Sequence, residues 1–437
     1  YLACSADEIL LQPGGIVAPV GLSRELIFLK ETLDEVGVTM DAVRTGDYKG
    51  SPDMFTRADA SDELREMANW LADDAFGDVL CGIAEGRDIA EEAARELVDG
   101  GPYTDLQALE YRVVDGVLNE EGLPDHLSDG KDPARLAPIE TAHKQLLRLM
   151  PRPPGRYVAL IRVEGLIIPG SSRRPPFRPP LPLPFAFEEQ AGDLTVVQAA
   201  RALLEDDNAA AVVLYIDSPG GSSTSSEAMA AALEQLARKK PLVALMGTIA
   251  ASGGYYVATP AQWIVAQPAT TTGSIGVFTL KPVVRDLLDK LHIGREKFLR
   301  GRHAAIFDVD RPFDEAQREK MLQSIERTYD LFLGRVASGR NMSREQLEAV
   351  AGGRIWTGSQ ALERGLIDEL GGFAAAVTKA RQLAGLPDDA AVVEIGSPKH
   401  SLPPRSVGQY GMHYLLTRTL FSKQIEPVCL CPIIWYE

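Results

Sequence analysis

Residues 241–258 read Pro-Leu-Val-Ala-Leu-Met-Gly-Thr-Ile-Ala-Ala-Ser-Gly-Gly-Tyr-Tyr-Val-Ala, an apolar run followed by small residues. The run 241–246 has the length and composition of a strand that is buried on both faces of a parallel sheet. Similar runs lie at 157–163 and 211–216, and apolar residues with helical spacing lie between the three runs. This alternation predicts βαβ units and an α/β fold.

The chain also matches itself at an offset of 255 residues. Tyr1–Pro13 aligns with Tyr256–Pro268, and Gly21 aligns with Gly276. A period this long predicts two tandem α/β domains rather than a solenoid of short repeats. The repeat also predicts that the first copy is incomplete at its amino terminus, because roughly a hundred residues that precede the match in the second copy have no counterpart.

The repeat predicts the domain boundaries, and each copy should contain a long amphipathic helix, near 62–85 and 313–338. Residues 169–188 are rich in proline and should form an exposed loop, because proline cannot join a sheet interior. The predicted divisions are a partial amino-terminal repeat at 1–140, a linker at 141–155, a carboxy-terminal repeat at 156–388 and a tail at 389–437.

Composition excludes several classes of protein. The chain has 437 residues, 45% of them apolar, which is enough for two ordinary cores. With 45 Lys and Arg against 61 Asp and Glu, the net charge of −16 disfavours nucleic acid as a partner. The cysteines form no complete metal-site spacing, so neither a metal nor another cofactor is predicted. No apolar run is long enough to span a membrane.

Ser252 is a candidate nucleophile. It should lie between a buried strand and a helix of small residues, with an exposed hydroxyl and with the Gly253 amide at the positive end of that helix. The Gly-x-Ser-x-Gly pattern is not met, because residue 250 is alanine. Taken alone, the motif more often marks a tight packing site or a helix cap.

The stretch Asp217-Ser-Pro-Gly-Gly-Ser222 follows the preceding strand. Gly220 and Gly221 would allow backbone amides to converge on an oxyanion. The alternative is an ordinary strand-to-helix turn that is capped by a serine.

A serine nucleophile needs a base, and none of the six histidines lies in a recognisable motif. Lys49, in Thr45-Gly-Asp-Tyr-Lys-Gly, falls on Ala304 in the second copy, so only the first copy carries it. Lysine can act as a base where burial lowers its pKa. The alternative is that Lys49 is a solvated charge on the surface.

In combination, these segments resemble signal peptide peptidase A in its long, duplicated form, the protease IV type. The resemblance is carried by residues 44–52, 217–222, 247–256 and 272–278, and it covers residues 1–388. It implies a Ser-Lys dyad on two tandem ClpP/crotonase-like domains, with Ser252 as nucleophile and Lys49 as general base. Ser274 would orient the lysine, and Gly220 or Gly221 would form the oxyanion hole with Gly253.

The resemblance further implies a membrane-associated homo-oligomer that faces the periplasm or the thylakoid and degrades cleaved signal peptides. An anchor would lie in the missing amino-terminal part. The sequence therefore predicts a serine endopeptidase that acts on apolar peptides. Two alternatives are a crotonase-like acyl-CoA enzyme, which would need a carboxylate in place of Ser252, and an inactive scaffold, because the first repeat is incomplete.

Overall fold

The computed structural model describes residues 1–18, 21–23, 25–128, 130, 132–134, 136, 155–173, 189–300, 303–395 and 428–430. Most of the predicted proline-rich loop, and the tail apart from 389–395 and 428–430, lie outside these residues. The chain divides into two compact units. The first comprises Tyr1–Glu25 and Ala72–Pro153, and the second comprises Leu26–Leu71 and Pro154–Glu437.

The described strands are, in chain order, β1 Leu10–Leu11, β2 Ile16–Val17, β3 Thr39–Arg44, β4 Tyr103–Thr104, β5 Gly116–Val117, β6 Tyr157–Glu164, β7 Leu166–Ile168, β8 Gln190–Gly192, β9 Ala209–Ser218, β10 Gly220–Ser222, β11 Leu242–Ala251, β12 Trp263–Ala266, β13 Thr271–Gly273, β14 Phe278–Val283, β15 Ile355–Trp356, β16 Glu369–Leu370, β17 Val392–Glu394 and β18 Val428–Leu430.

The described helices are α1 Lys30–Val36, α2 Asp53–Thr56, α3 Asp62–Arg87, α4 Glu91–Asp99, α5 Asp105–Glu110, α6 Leu123–His126, α7 Asp193–Glu205, α8 Ser223–Ala237, α9 Gly253–Ala258, α10 Arg285–Lys290, α11 Glu315–Arg340, α12 Arg344–Val350, α13 Gly358–Glu363 and α14 Phe373–Ala384.

The first unit is built on the carboxyl-terminal part of α3 together with α4, α5 and two small sheets. β1 pairs in parallel with β5, and β2 pairs antiparallel with β4. Arg87 binds both carboxylate oxygens of Asp115, and these hydrogen bonds lower the pKa of Asp115 to about 2. The candidate site residues all lie in the second unit.

A parallel sheet forms the centre of the second unit. β6, β9 and β11 pair in parallel, and α7 and α8 connect them in the chain. Their side chains are almost entirely buried, which agrees with their continuous apolar runs. The three strands predicted from the sequence, the long helices α3 and α11, and the mixed α/β class are confirmed.

A second sheet brings distant parts of the chain together, in the order β3-β14-β18-β10-β7-β8. β3 pairs antiparallel with β14 from Arg44 opposite Phe278 to Thr39 opposite Val283. Residues 26–71 therefore belong to the same compact unit as residues 154–437. This division does not follow the repeat, whose boundaries stay a prediction.

The helix after the candidate nucleophile is fixed by α8 and α11. Tyr256 of α9 packs against Phe332, with ring centroids 4.7 Å apart, and donates its hydroxyl to Glu227. Arg335 binds Glu227 as well, and it also binds Glu234. These contacts hold α9, and with it the turn that precedes α9, against the rest of the unit.

Candidate active site

Ser252 forms a sharp turn between the end of β11 and the start of α9. Its φ is 53° and its ψ is −114°, a conformation that costs a residue with a side chain about 1–3 kcal/mol. Gly254 permits the turn, because a Cβ there would lie 2.5 Å from the Ser218 carbonyl oxygen. Strained strand-to-helix turns of this kind present nucleophilic serines in hydrolases, although the Gly-x-Ser-x-Gly spacing is absent here.

The Ser252 side chain is fully buried. The predicted exposed hydroxyl is therefore wrong, because segments distant in sequence cover the turn. Lys49 lies against the hydroxyl, and β18 packs against α9. The Ser252 amide donates to the Gly273 carbonyl at 2.8 Å, so the last residue of β13 holds the main chain of the turn.

Lys49 is also completely buried, which rules out the alternative of a solvated surface charge. Its Nζ lies 2.7 Å from Ser252 Oγ. The same atom lies 2.9 Å from Ser274 Oγ and 2.9 Å from the Ser274 carbonyl oxygen. The structure thus brings together three residues that the sequence singled out.

The loop that carries Lys49 is fastened to the second sheet and to the segment before β15. The Thr45 amide donates to the Val277 carbonyl at 2.9 Å, and the Tyr48 amide donates to the Gly352 carbonyl at 3.2 Å. Because these bonds hold the main chain at two positions directly before Lys49, they help to fix the position of Lys49 itself.

Two glycines make room for Lys49. Gly353 has φ of 89°, and a Cβ there would lie 2.4 Å from the Lys49 amide nitrogen. A Cβ at Gly276 would lie 3.2 Å from Lys49 Cδ. Any side chain at these two positions would move the lysine.

A partly buried ion pair holds the Lys49 backbone. Arg44 Nη1 donates to the Lys49 carbonyl at 3.3 Å and to Asp53 Oδ1 at 2.8 Å. Ser61 Oγ donates to the second Asp53 oxygen at 2.7 Å. No role for these residues was predicted from the sequence. Their only signal is an arginine and an aspartate at the two ends of the Lys49 segment.

Ser274 offers two oxygen atoms to Lys49 because its backbone is held in an unusual conformation. Its φ is 52°, and it follows Gly273, whose φ is 79°. The Ser274 amide donates to the Arg354 carbonyl at 2.6 Å. The residue is therefore anchored through its main chain.

The glycines of β10 have conformations that only glycine adopts readily. Gly220 has φ of 105° and Gly221 has φ of 150°. A Cβ at Gly221 would lie 2.1 Å from the Ile167 carbonyl oxygen. The Gly220 amide donates to Ser218 Oγ at 3.2 Å.

β10 contacts α9, whose first residue is Gly253. The amides of the first helical turn have no partner within the helix and favour a negative charge. Ser222 caps α8 by accepting a hydrogen bond from the Ser225 amide. The alternative of a turn that is capped by a serine is therefore confirmed, and it is compatible with the oxyanion role that stays a prediction for the glycines.

Asp217 supports the end of β11, a role that the sequence analysis missed. The pairing of β11 with β9 shifts register between Met246 and Ala250. Within this irregular stretch, the Ile249 amide donates to Asp217 Oδ1 at 3.0 Å. Burial raises the pKa of the Asp217 carboxyl. The available signal was an aspartate at the carboxyl end of a buried strand, directly before Ser-Pro-Gly-Gly.

Histidines of the described segments take no part in this site. Of the three that lie there, His126 pairs with Glu8, and none hydrogen-bonds to Ser252. Within the same segments, no cluster of His, Cys, Asp or Glu could hold a metal ion. The arrangement around Ser252 is instead that of a serine and lysine pair.

A buried serine and lysine in contact at a strained turn match the arrangement of nucleophile and base that serine hydrolases use. Comparison with known proteins gives the family: the profile of peptidase family S49 matches residues 1–132 and 234–387. The chain belongs to peptidase family S49, and the family resemblance found in the sequence is confirmed.

Three relatives are similar over most of this chain. The chloroplastic serine protease SPPA of Arabidopsis thaliana is 31% identical over 92% of this chain and 59% of its own length. Protease 4 of Haemophilus influenzae is 34% identical over 90% of this chain and 64% of its own length. Protease 4 of Salmonella typhi is 32% identical over 88% of this chain and 62% of its own length.

This chain spans about 60% of the length of these curated relatives. No helix of the described residues is both long and apolar enough to cross a bilayer.

Proposed function

We propose that this chain is a serine endopeptidase in which Lys49 activates Ser252 for attack on extended, apolar peptides such as cleaved signal peptides. The observation that carries the proposal is the 2.7 Å separation of Lys49 Nζ and Ser252 Oγ. A general base must lie within about 2.6–3.2 Å of the hydroxyl from which it takes a proton.

The contacts of Lys49 Nζ with Ser252 and Ser274 suit a neutral amine. A neutral lysine has two N–H donors and one lone pair. The Ser274 carbonyl and hydroxyl oxygens, each at 2.9 Å, accept the two N–H bonds. The lone pair then faces the Ser252 hydroxyl. Complete burial disfavours the ammonium form, which would have no lone pair.

The reaction follows from this arrangement. Ser252 Oγ bonds to the peptide carbonyl carbon while Lys49 takes the hydroxyl proton. Lys49 then gives that proton to the leaving nitrogen as the C–N bond breaks, which leaves an ester on Ser252. Water attacks the ester and gives a proton to Lys49, which returns it to Ser252 Oγ as the ester bond breaks and the acid leaves.

The developing oxyanion would be bound by the amides of Gly253 and Gly221. We choose Gly221 over Gly220 because the Gly220 amide already donates to Ser218 Oγ at 3.2 Å. Each such donor lowers the barrier by about 3–4 kcal/mol when it is aimed at the oxyanion.

Substrate class, assembly and location are parts of the same proposal. We infer a homo-oligomer, membrane association at the periplasmic or thylakoid face, and two tandem ClpP/crotonase-like domains. Support comes from the motifs of the sequence and from relatives named Protease 4. A crotonase-like acyl-CoA reaction is disfavoured, because a serine stands where that chemistry needs a carboxylate.

The test uses a small fluorophosphonate probe, followed by mass mapping of the labelled residue, and an apolar fluorogenic peptide. We expect labelling at Ser252, and we expect Ser252→Ala to abolish both labelling and hydrolysis. A matched control is Ser225→Ala, since the buried Ser225 hydroxyl has no hydrogen-bond partner and lies in α8. Hydrolysis by Ser252→Ala at the unsubstituted rate would overturn the proposal.

A further inference from the structure

A short strand from the far end of the chain lies inside the sheet that carries Gly221. β18 is placed between β10 and β14 and pairs antiparallel with both. Gly221 lies opposite Cys429, and Phe278 lies opposite Val428. The strand therefore joins two parts of the sheet that are not paired with each other.

Removal of β18 would leave a slot that is one strand wide. β10 pairs with β7 on its other side, and β14 pairs with β3. Because neighbouring strands lie about 4.8 Å apart, the two free edges would face each other across about 10 Å. Free edges of this kind bind extended peptides through main-chain hydrogen bonds, largely independently of side chains.

The slot lies beside the candidate nucleophile. β10 contains Gly220 and Gly221, and β18 packs against α9, which begins directly after Ser252. β14 begins four residues after Ser274. A peptide cleaved at Ser252 would need to lie where β18 lies now.

We propose that residues 428–430 are an internal occupant of the peptide slot and compete with substrate, an inference that rests on the proposed function. A segment of the same chain acts at an effective concentration on the order of millimolar. Weakly bound peptides would thus be excluded from the slot.

The occupant is also displaceable. Pro427 and Pro432 bracket the segment, and proline cannot donate to a ladder of main-chain hydrogen bonds. The internal strand is therefore short. A longer extended peptide can form more main-chain bonds with the same two edges, and it replaces the strand at sufficient concentration.

The test uses the full chain with Val428→Pro and, separately, Cys429→Pro. Successive amides of a strand point to opposite neighbours, so the two variants remove donors towards different edges. We expect both to lower KM for a fluorogenic decapeptide about threefold to tenfold, with kcat unchanged, because a larger fraction of the chains has an open slot. Ser422→Pro, outside β18, is the control and should leave KM unchanged.

A binding measurement separates this inference from the peptidase proposal. A labelled peptide with the sequence of residues 424–432 is titrated onto full chains that carry Ser252→Ala, with and without Val428→Pro or Cys429→Pro. We expect tighter binding when β18 carries a proline, and no gain for a peptide that has proline at the Cys429 position. If the proline variants bind the peptide more tightly but no chain that contains Ser252 hydrolyses peptides, the proposed competition by residues 428–430 is supported and the proposed peptidase function is overturned. Unchanged KM and unchanged peptide binding in both proline variants would overturn the slot.

Discussion

Gly276 lies directly against the Lys49 side chain, so that a Cβ at position 276 would come within 3.2 Å of Lys49 Cδ. Gly276→Ala should therefore displace the lysine by a few tenths of an ångström. We expect kcat to fall about tenfold, because a base that is displaced by even a fraction of an ångström loses its alignment with the hydroxyl. KM should change little. Steady-state kinetics on an apolar peptide measures both.

The matched control is Gly334→Ala, in the middle of α11. A Cβ at Gly334 would meet no atom within 4 Å. Alanine in a helix interior stabilises by about 0.5–1 kcal/mol relative to glycine, so this variant should melt higher with unchanged kinetics. Equal activity of Gly276→Ala and Gly334→Ala would contradict a tight fit around Lys49.

The strained backbone of Ser252 predicts different stabilities for two inactive variants. Both Ser252→Ala and Ser252→Gly remove the nucleophile and should abolish hydrolysis. Glycine adopts φ of 53° without strain, whereas alanine does not. We expect Ser252→Gly to be about 1 kcal/mol more stable than Ser252→Ala. Urea unfolding of the two proteins measures the difference, and an equal free energy of unfolding would argue against strain at this turn.

Replacement of Lys49 tests its role as a base. Lys49→Arg and Lys49→Met should both lose hydrolysis, because guanidinium stays protonated and methionine cannot accept a proton.

The pH profile tests the same role. In the unsubstituted chain, kcat/KM should rise with pH as the neutral fraction of Lys49 rises. No step near pH ~6.5, the usual pKa of histidine, should appear. Substantial activity in Lys49→Arg would reopen the search for a base.

Substitutions of Asp217 test whether this residue supports the end of β11 through its hydrogen bond to Ile249 or through its charge. Asp217→Asn keeps an oxygen that accepts the Ile249 amide and should retain activity, whereas Asp217→Ala loses the acceptor and should lower kcat. Steady-state kinetics on an apolar peptide compares the two variants.

The charge of Asp217 should affect stability. Burial raises the Asp217 pKa, so the carboxyl stabilises the fold when it is protonated, and this contribution is lost as pH rises through the folded pKa. The stability gain of Asp217→Asn over the unsubstituted chain should therefore be larger at pH 7 than near pH ~4. Urea unfolding at the two pH values tests this sign, and a gain that is larger at the lower pH would contradict it.

The parts of the fold that depend on local pattern could be predicted from sequence. β6, β9 and β11 are continuous apolar runs, and their burial on both faces follows from that composition. The pairing of β3 with β14 could not be predicted in this way, because it joins segments more than 200 residues apart and has no local signal. The pairing of β18 with β10 and β14 could not be predicted for the same reason.

The candidate site shows a similar division. The residues around Ser252 predict its position at a strand-to-helix turn. Lys49 is indicated by the repeat, because only the first copy carries it, and by the family resemblance. Arg44 and Asp53 were missed, since an ion pair between two loop-flanking residues looks like any pair of surface charges until burial is known. The exposure of Ser252 was misjudged because residues distant in sequence cover it.

The separation of 203 residues between Lys49 and Ser252 has a consequence for biosynthesis. Contacts between distant segments form late in folding, after long loops have closed. Lys49 also needs the Gly352 carbonyl and Ser274 needs the Arg354 carbonyl to hold their positions. A nascent chain on the ribosome thus cannot assemble the pair until the segment that contains Gly352 and Arg354 has been translated. On the proposed function, the growing polypeptide would therefore gain peptidase activity only after this late segment has emerged.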